Sequence, residues 1–406
     1  MHNRLRTKLL TTALLLSFFA VCHGCQPEEP LITDNDDTGD TTSLVESICD
    51  SIDWTVTPGK DQVVLLVTRG TWKDLSSEIE RYKTDVEDGF PVQLNILRGS
   101  WTNPMQVRET IREIYDTKGL SGVVLVGDMP LHRFYMHDFA NPNALYYEDF
   151  TLKFSNDEIA TSYSGRPDPK VWVANLRAVS DPGDKGINKL KAFFEKTHLY
   201  YSGGQAIRHK ALFAAGWEWP DGAKEASAAW ESVFPGPDRS LLINETGKNS
   251  TAEHFGATRT NILNAFKENF TLFYIQVHSW EQGHDVDHHG KILATDIANL
   301  TTGALVTVNH GCSAGNWLKA NPAVNTSQAY VFGSGIGQAV VCQVRVGMVY
   351  GHEKMYERIV AGDYIGKAYL AAKRAGEEEM HKHYPDGTIF SGVTLIGNPF
   401  LYLQSK

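Results

Sequence analysis

Several common signals are missing from this chain, and each absence removes a class of function. No Lys/Arg run or basic face stands out, and the formal net charge is −10, so nucleic-acid binding is disfavoured. No short period repeats along the 406 residues, which argues against a solenoid or propeller. There is no Walker lysine motif and no GxGxxG after an apolar run. Gly333-Ser334-Gly335-Ile336-Gly337 is glycine-rich but precedes a strand candidate, the wrong order for a phosphate loop. No long propeptide pattern and no later immunoglobulin-like module is visible. Cysteine is scarce, with five in the whole chain. Beyond Cys22 and Cys25 only Cys49, Cys312 and Cys342 remain, an odd number, so any disulfide among these three leaves a thiol free.

What is present describes an exported globular protein. Hydrophobic residues make up 42% and charged residues 21%, which argues against wholesale disorder. Arg4, Arg6 and Lys8 precede the apolar stretch Leu9–Val21, a secretory signal too short for a comfortable membrane span. Gly24-Cys25 resembles the end of a bacterial lipobox, although Cys22 stands where Leu or Val is usual. Residues 1–24 are therefore expected to be a signal peptide of lipoprotein type, with Cys25 the lipid-attachment residue. Removing them takes away three basic residues and no acidic one, which moves the balance from −10 to −13. Residues 25–60 read as an acidic flexible tether, because QPEEPLITDNDDTGDTTS cannot bury enough surface to order itself. Gln26-Pro27-Glu28-Glu29 resembles the acidic export signals of bacterial surface lipoproteins. The expected location is the outer membrane or cell surface, otherwise secreted, with membrane contact only through the N-terminal lipid.

From Asp61 the pattern becomes strand–helix–strand. Strand candidates are Val63–Thr68, Pro91–Leu97, Gly122–Val126, Val171–Leu176, Ala211–Ala215, Ser240–Asn244, Leu272–Val277, Leu305–Val308, Gln338–Gln343 and Val393–Ile396. Helix candidates fall at Trp72–Val86, after Asn103-Pro104, and at Ile187–Tyr201, Ala223–Val233, Thr251–Lys267, Glu353–Val360 and Gly366–Arg374. Apolar runs alternating with helices predict an α/β fold with a mainly parallel sheet flanked by helices. Ser202-Gly203-Gly204 marks a break between an N-terminal α/β subdomain, residues 61–203, and a C-terminal one, residues 204–406.

Two strand ends carry the chemistry. The run Thr271–Val277 ends at His278, and Ala304–Asn309 ends at His310-Gly311-Cys312. Catalytic groups in open α/β sheets lie at the carboxyl ends of strands. Cys312 is the candidate nucleophile and His278 the candidate general base, with His284 and His310 as alternative bases. The backbone N–H groups of Ser279 and Cys312 are the candidate oxyanion donors. Trp280 and Trp317 flank the pair and are candidates for lining a substrate pocket. His284-Asp285-Val286-Asp287-His288-His289 offers five metal-capable side chains in six residues, so a metallohydrolase is a rival reading.

The order of motifs along the chain resembles the gingipain-like cysteine peptidases of the caspase and legumain clan. Leu125-Val126-Gly127-Asp128, Tyr146-Tyr147-Glu148-Asp149, Val171–Ala178, Gly362–Lys373 and Leu395-Ile396-Gly397-Asn398-Pro399-Phe400-Leu401 are similar to the family's successive segments, over about residues 61–403. The resemblance implies a caspase-hemoglobinase-like fold and a thiol endopeptidase acting on protein or peptide substrates, with no cofactor required for the chemistry. It also raises a structural calcium site, with Glu148 and Asp149 as ligands. The chain departs from the family at Ser279, where Gly usually follows the His, at Ala174-Asn175, and at Asn398 in place of Asp. The Ser279 and Asn398 departures support a third reading, a non-catalytic surface binding protein on the same fold.

Overall fold

The ten expected strands become the ten strands of one sheet. A computed structural model describes residues 43–403 apart from 51–53, 179–185, 205–209, 234–237, 245–255, 287–289 and 320–323. The signal segment, Cys25 and most of the tether lie outside the described residues. In chain order the strands are β1 (Asp61–Thr68), β2 (Val92–Gly99), β3 (Leu120–Val126), β4 (Trp172–Leu176), β5 (Lys210–Ala215), β6 (Asp238–Ile243), β7 (Phe270–Gln276), β8 (Ala304–Asn309), β9 (Ala339–Gln343) and β10 (Val393–Gly397). Their order across the sheet is β6-β5-β7-β8-β9-β10-β4-β3-β1-β2. Every neighbouring pair is parallel except β9 and β10. The sheet is thus two parallel blocks of opposite direction, β6-β5-β7-β8-β9 and β10-β4-β3-β1-β2. It is continuous across residue 203, because β10 pairs with β4.

The strands form where apolar residues occupy both faces. Val63, Leu65 and Val67 point into one core and Val64 and Leu66 into another; Leu272 and Tyr274 separate in the same way from Phe273 and Ile275. That is the pattern of a sheet covered on both sides, and each such side chain contributes about 1.5–3 kcal/mol on burial. One face is covered by helices α1 (Arg69–Gly89), α3 (Ile187–Tyr201), α4 (Pro220–Val233), α7 (His352–Val360) and α8 (Ile365–His383). Over the other face lie α2 (Pro104–Lys118) in one block and α5 (Arg259–Ala265) in the other. Helix α2 begins as expected, with the Asn103 side chain accepting from the Gln106 N–H at 3.0 Å and Pro104 in the first turn. Helix α6 (Thr326–Phe332) was not foreseen, nor were the short helices Leu44–Ile48, Leu145–Glu148 and Ala294–Ala298. Nearly all buried, α6 opens on Asn325, whose side chain accepts from Ser327 and Gln328 N–H.

Candidate active site

The carboxyl ends of β5, β7, β8 and β9 lie along one edge of the sheet, and the chemistry gathers there. Ile275 on β7 is paired with Asn309 on β8. His278 lies three residues beyond the first and Cys312 three beyond the second. Parallel neighbours are about 4.8 Å apart, so equal overhangs bring the imidazole and thiol to the same edge. Of the three described cysteines, Cys49 and Cys342 are buried and burial pushes each thiol up to about 12. Cys312 alone is partly exposed, and no described cysteine is in a disulfide.

The three candidate bases separate by environment. The His278 ring is exposed, with Trp219 edge-on at 4.9 Å. Its Nε2 lies 3.5 Å from the Glu218 carboxylate. Glu218 follows β5 in Gly216-Trp217-Glu218-Trp219 and was missed in the sequence. The strand-end rule that singled out His278 and Cys312 applies to Ala211–Ala215 as well and points to it. His284 is fully buried; its Nδ1 lies 2.7 Å from Ser279 Oγ and its Nε2 3.0 Å from Tyr330 Oη. Burial pushes it down to about 3. His310 is also buried, wedged between Tyr274 at 4.6 Å and His352 at 4.7 Å. Burial first, and then the His352 charge, hold its pKa well below the usual histidine value. Only His278 offers its ring to solvent for proton exchange.

The turn around Cys312 is tightly held. Asn309 Oδ1 accepts from the Gly311 N–H at 3.0 Å. Ser313 has φ +53, a left-handed conformation that side chains rarely adopt and that is often found at functional sites. Its N–H donates to Arg345 O at 2.8 Å, and the Gly315 N–H donates to Gln343 O at 2.9 Å. The Asn316 amide reaches Asn141 Oδ1 at 3.1 Å and Ala140 O at 3.3 Å, which ties the turn to the hairpin formed by Arg133–Met136 and Phe139–Pro142. Ser279 and Gly311 are packed together: a methyl at Gly311 would fall 1.8 Å from Ser279 Oγ.

The remaining expectations fare differently. Trp280 is half-buried on the hairpin beyond β7, with the Lys291 ammonium 5.5 Å from its ring. Trp317 is 6% exposed and belongs to the main core, so it packs rather than lines an open pocket. In the histidine-rich loop, His284 already spends both ring nitrogens on protein groups, and Asp287, His288 and His289 lie outside the described residues. Among the described residues no group of three metal-capable side chains gathers. The Glu148 and Asp149 carboxylates are buried and engaged by protein groups. Glu148 accepts from Tyr369 Oη at 2.8 Å and pairs with Lys373 at 3.4 Å. Asp149 accepts from Thr151 and Asp168 N–H at 2.8 and 2.5 Å. Three of the four carboxylate oxygens thus accept hydrogen bonds from protein groups, whereas Glu148 Oε2 accepts none and has only the Lys373 ammonium beside it. Asn398 lies at the opposite edge of the sheet, where its Oδ1 accepts from Tyr82 Oη at 2.8 Å and Phe400 N–H at 3.0 Å. Asn175 is buried within β4. Two of the three departures from the family pattern therefore lie away from Cys312.

Neither a protein-family model nor a curated protein matches this chain.

Proposed function

We propose that the protein is a cysteine endopeptidase of the gingipain-like kind, exported and held at the cell surface by a lipid on Cys25. The observation that carries the reading is the Ile275–Asn309 pairing, which gives His278 and Cys312 equal overhangs at one sheet edge, with Glu218 beside the imidazole. His278 takes the Cys312 thiol proton, the thiolate attacks the scissile carbonyl carbon, and the carbonyl π pair moves onto oxygen. The Ser279 and Cys312 N–H groups receive that oxyanion. The tetrahedral adduct collapses, the C–N bond breaks, and His278 protonates the departing amine. Water then attacks the thioester, gives a proton to His278, and the thiolate leaves. Glu218 orients the imidazole through Nε2, which leaves Nδ1 to face the thiol.

The test is a peptide-library digest comparing wild type with Cys312→Ala, alongside labelling by iodoacetamide. Cleavage and labelling at Cys312 are both expected to vanish in the variant; full cleavage by Cys312→Ala overturns the reading. Mass spectrometry of the mature N-terminus tests the anchor, and an unmodified Cys25 removes it.

A further inference from the structure

Ser279 stands where a bare backbone donor is wanted, and its side chain has to be put somewhere. The hairpin His278–Trp280 with Gly283–Asp285 shows where. Its turn is the two residues Glu281-Gln282, and Trp280 pairs with Gly283 across it. A two-residue turn makes that closing pair the hydrogen-bonded one. Alternation then makes Ser279 and His284 the next, non-hydrogen-bonded pair, in which side chains stand closest and main-chain N–H groups point away from the partner strand. The side chains meet accordingly, with Ser279 Oγ 2.7 Å from His284 Nδ1.

The chain of contacts continues in both directions. His284 Nε2 lies 3.0 Å from Tyr330 Oη, and Ser279 Oγ donates to Val277 O at 3.2 Å. One protonation pattern uses every donor. Tyr330 O–H donates to Nε2, Nδ1–H donates to Ser279 Oγ, and Ser279 O–H donates to the carbonyl preceding His278. Tyr330 is on α6, whose first turn is fastened to the hairpin by Thr326 N–H to Glu281 O at 2.8 Å and Thr326 Oγ to Trp280 O at 3.0 Å. At the other end Ser279 bears on Gly311, the residue before Cys312.

Resting on the peptidase reading above, we infer that Tyr330, His284 and Ser279 form a clamp that fixes the main chain on both sides of His278 and aims the Ser279 N–H at the reacting carbonyl oxygen. Ser279 in this chain does the work of a glycine, because His284 draws its side chain out of the oxyanion site. His284 and Tyr330 are positioning residues; neither touches substrate.

The experiment compares wild type, His284→Leu, His284→Asn and Tyr330→Phe on a peptide that the wild-type enzyme cleaves in the library digest. It also measures alkylation of Cys312 by iodoacetamide. Alkylation uses the thiolate but makes no oxyanion. His284→Leu is expected to lower kcat by about 100-fold, the scale of losing one oxyanion donor, with KM and alkylation rate nearly unchanged. His284→Asn is expected to recover most of kcat, since the Asn amide nitrogen is bonded to Cγ as Nδ1 is. Tyr330→Phe gives the same split with a smaller fall, and carries the test if His284→Leu does not fold. Unchanged kcat, a parallel fall in alkylation, or no recovery by Asn overturns the clamp and leaves the peptidase reading standing. A wild-type enzyme without Cys312-dependent cleavage overturns the peptidase reading and the clamp with it.

Discussion

Adding one methyl at Gly311 should unsettle the site in a way that a single further substitution repairs. The methyl carbon would fall 1.8 Å from Ser279 Oγ and 2.2 Å from Ser279 Cβ. Non-bonded carbon atoms prefer about 3.5–4.0 Å, so the overlap exceeds an ångström. Rotating the serine side chain moves Oγ but not Cβ, so one of the two strand ends must shift. Overpacking of this kind costs about 1–3 kcal/mol. Ser279→Gly deletes both clashing atoms, and the nearest remaining neighbour of the methyl is then Asn309 Oδ1 at 3.1 Å. It also leaves the buried His284 Nδ1 without its partner, a loss of about 1–3 kcal/mol by itself. The Gly311→Ala and Ser279→Gly pair should therefore be strongly non-additive. Gly311→Ala is expected to destabilise wild type by about 1–3 kcal/mol and the Ser279→Gly protein by much less, a coupling of about 1 kcal/mol or more. Urea unfolding of the four proteins, followed by tryptophan fluorescence, measures it. Equal penalties in the two backgrounds would refute the packed contact between the strand ends.

Glu218→Gln is expected to lower kcat by about 3–10-fold, because the carboxylate only orients an exposed imidazole and a partly exposed pair is worth about 1 kcal/mol or less. A thousandfold loss in steady-state cleavage would mean a different role. His132, pushed down to about 4 by burial, joins His284 and His310 as neutral in the fold. Below pH 6.5 each takes up a proton on unfolding, so the stability they contribute is complete above that pH and lost as it falls, at up to about 1.4 kcal/mol per pH unit for each. Urea midpoints measured from pH 7.5 to 4.5 should drop steeply, and a flat profile contradicts the burial. Glu148 has the opposite sign: burial raises its carboxyl to about 7, so its contribution is present below 4.5 and lost as pH rises through 7. Glu148→Gln should therefore gain on wild type in melting temperature between pH 5 and 8, and parallel curves would show that Glu148 does not titrate there.

All ten strands were legible in the sequence because each is a short apolar run closed by Gly or polar residues. Their direction was not. Val393–Gly397 is buried on both faces, and such a run reads the same whichever way it lies in a sheet. Helix α6 was missed because Thr326, Ser327 and Gln328 look like loop residues, although all three are buried against neighbouring segments. At the candidate site, Cys312 and His278 could be singled out from strand ends, whereas the contacts around them depend on pairing across space. His284 looked like one of several metal-capable residues in a row. Hairpin register sets it opposite Ser279 instead, and linear spacing carries no such information.

The position of β10 has a consequence for how the molecule comes together. The strand farthest along the chain lies in the middle of the sheet, between β9 and β4. During synthesis, four strands can assemble as β4-β3-β1-β2 and five as β6-β5-β7-β8-β9, each with an unpaired inner edge. Neither edge is closed until residues 393–397 arrive. From the completion of β9 at Gln343 until then, the chain thus carries two open strand edges of the kind that invite mispairing with other chains. A truncation of little more than ten residues would leave the chain in that state permanently.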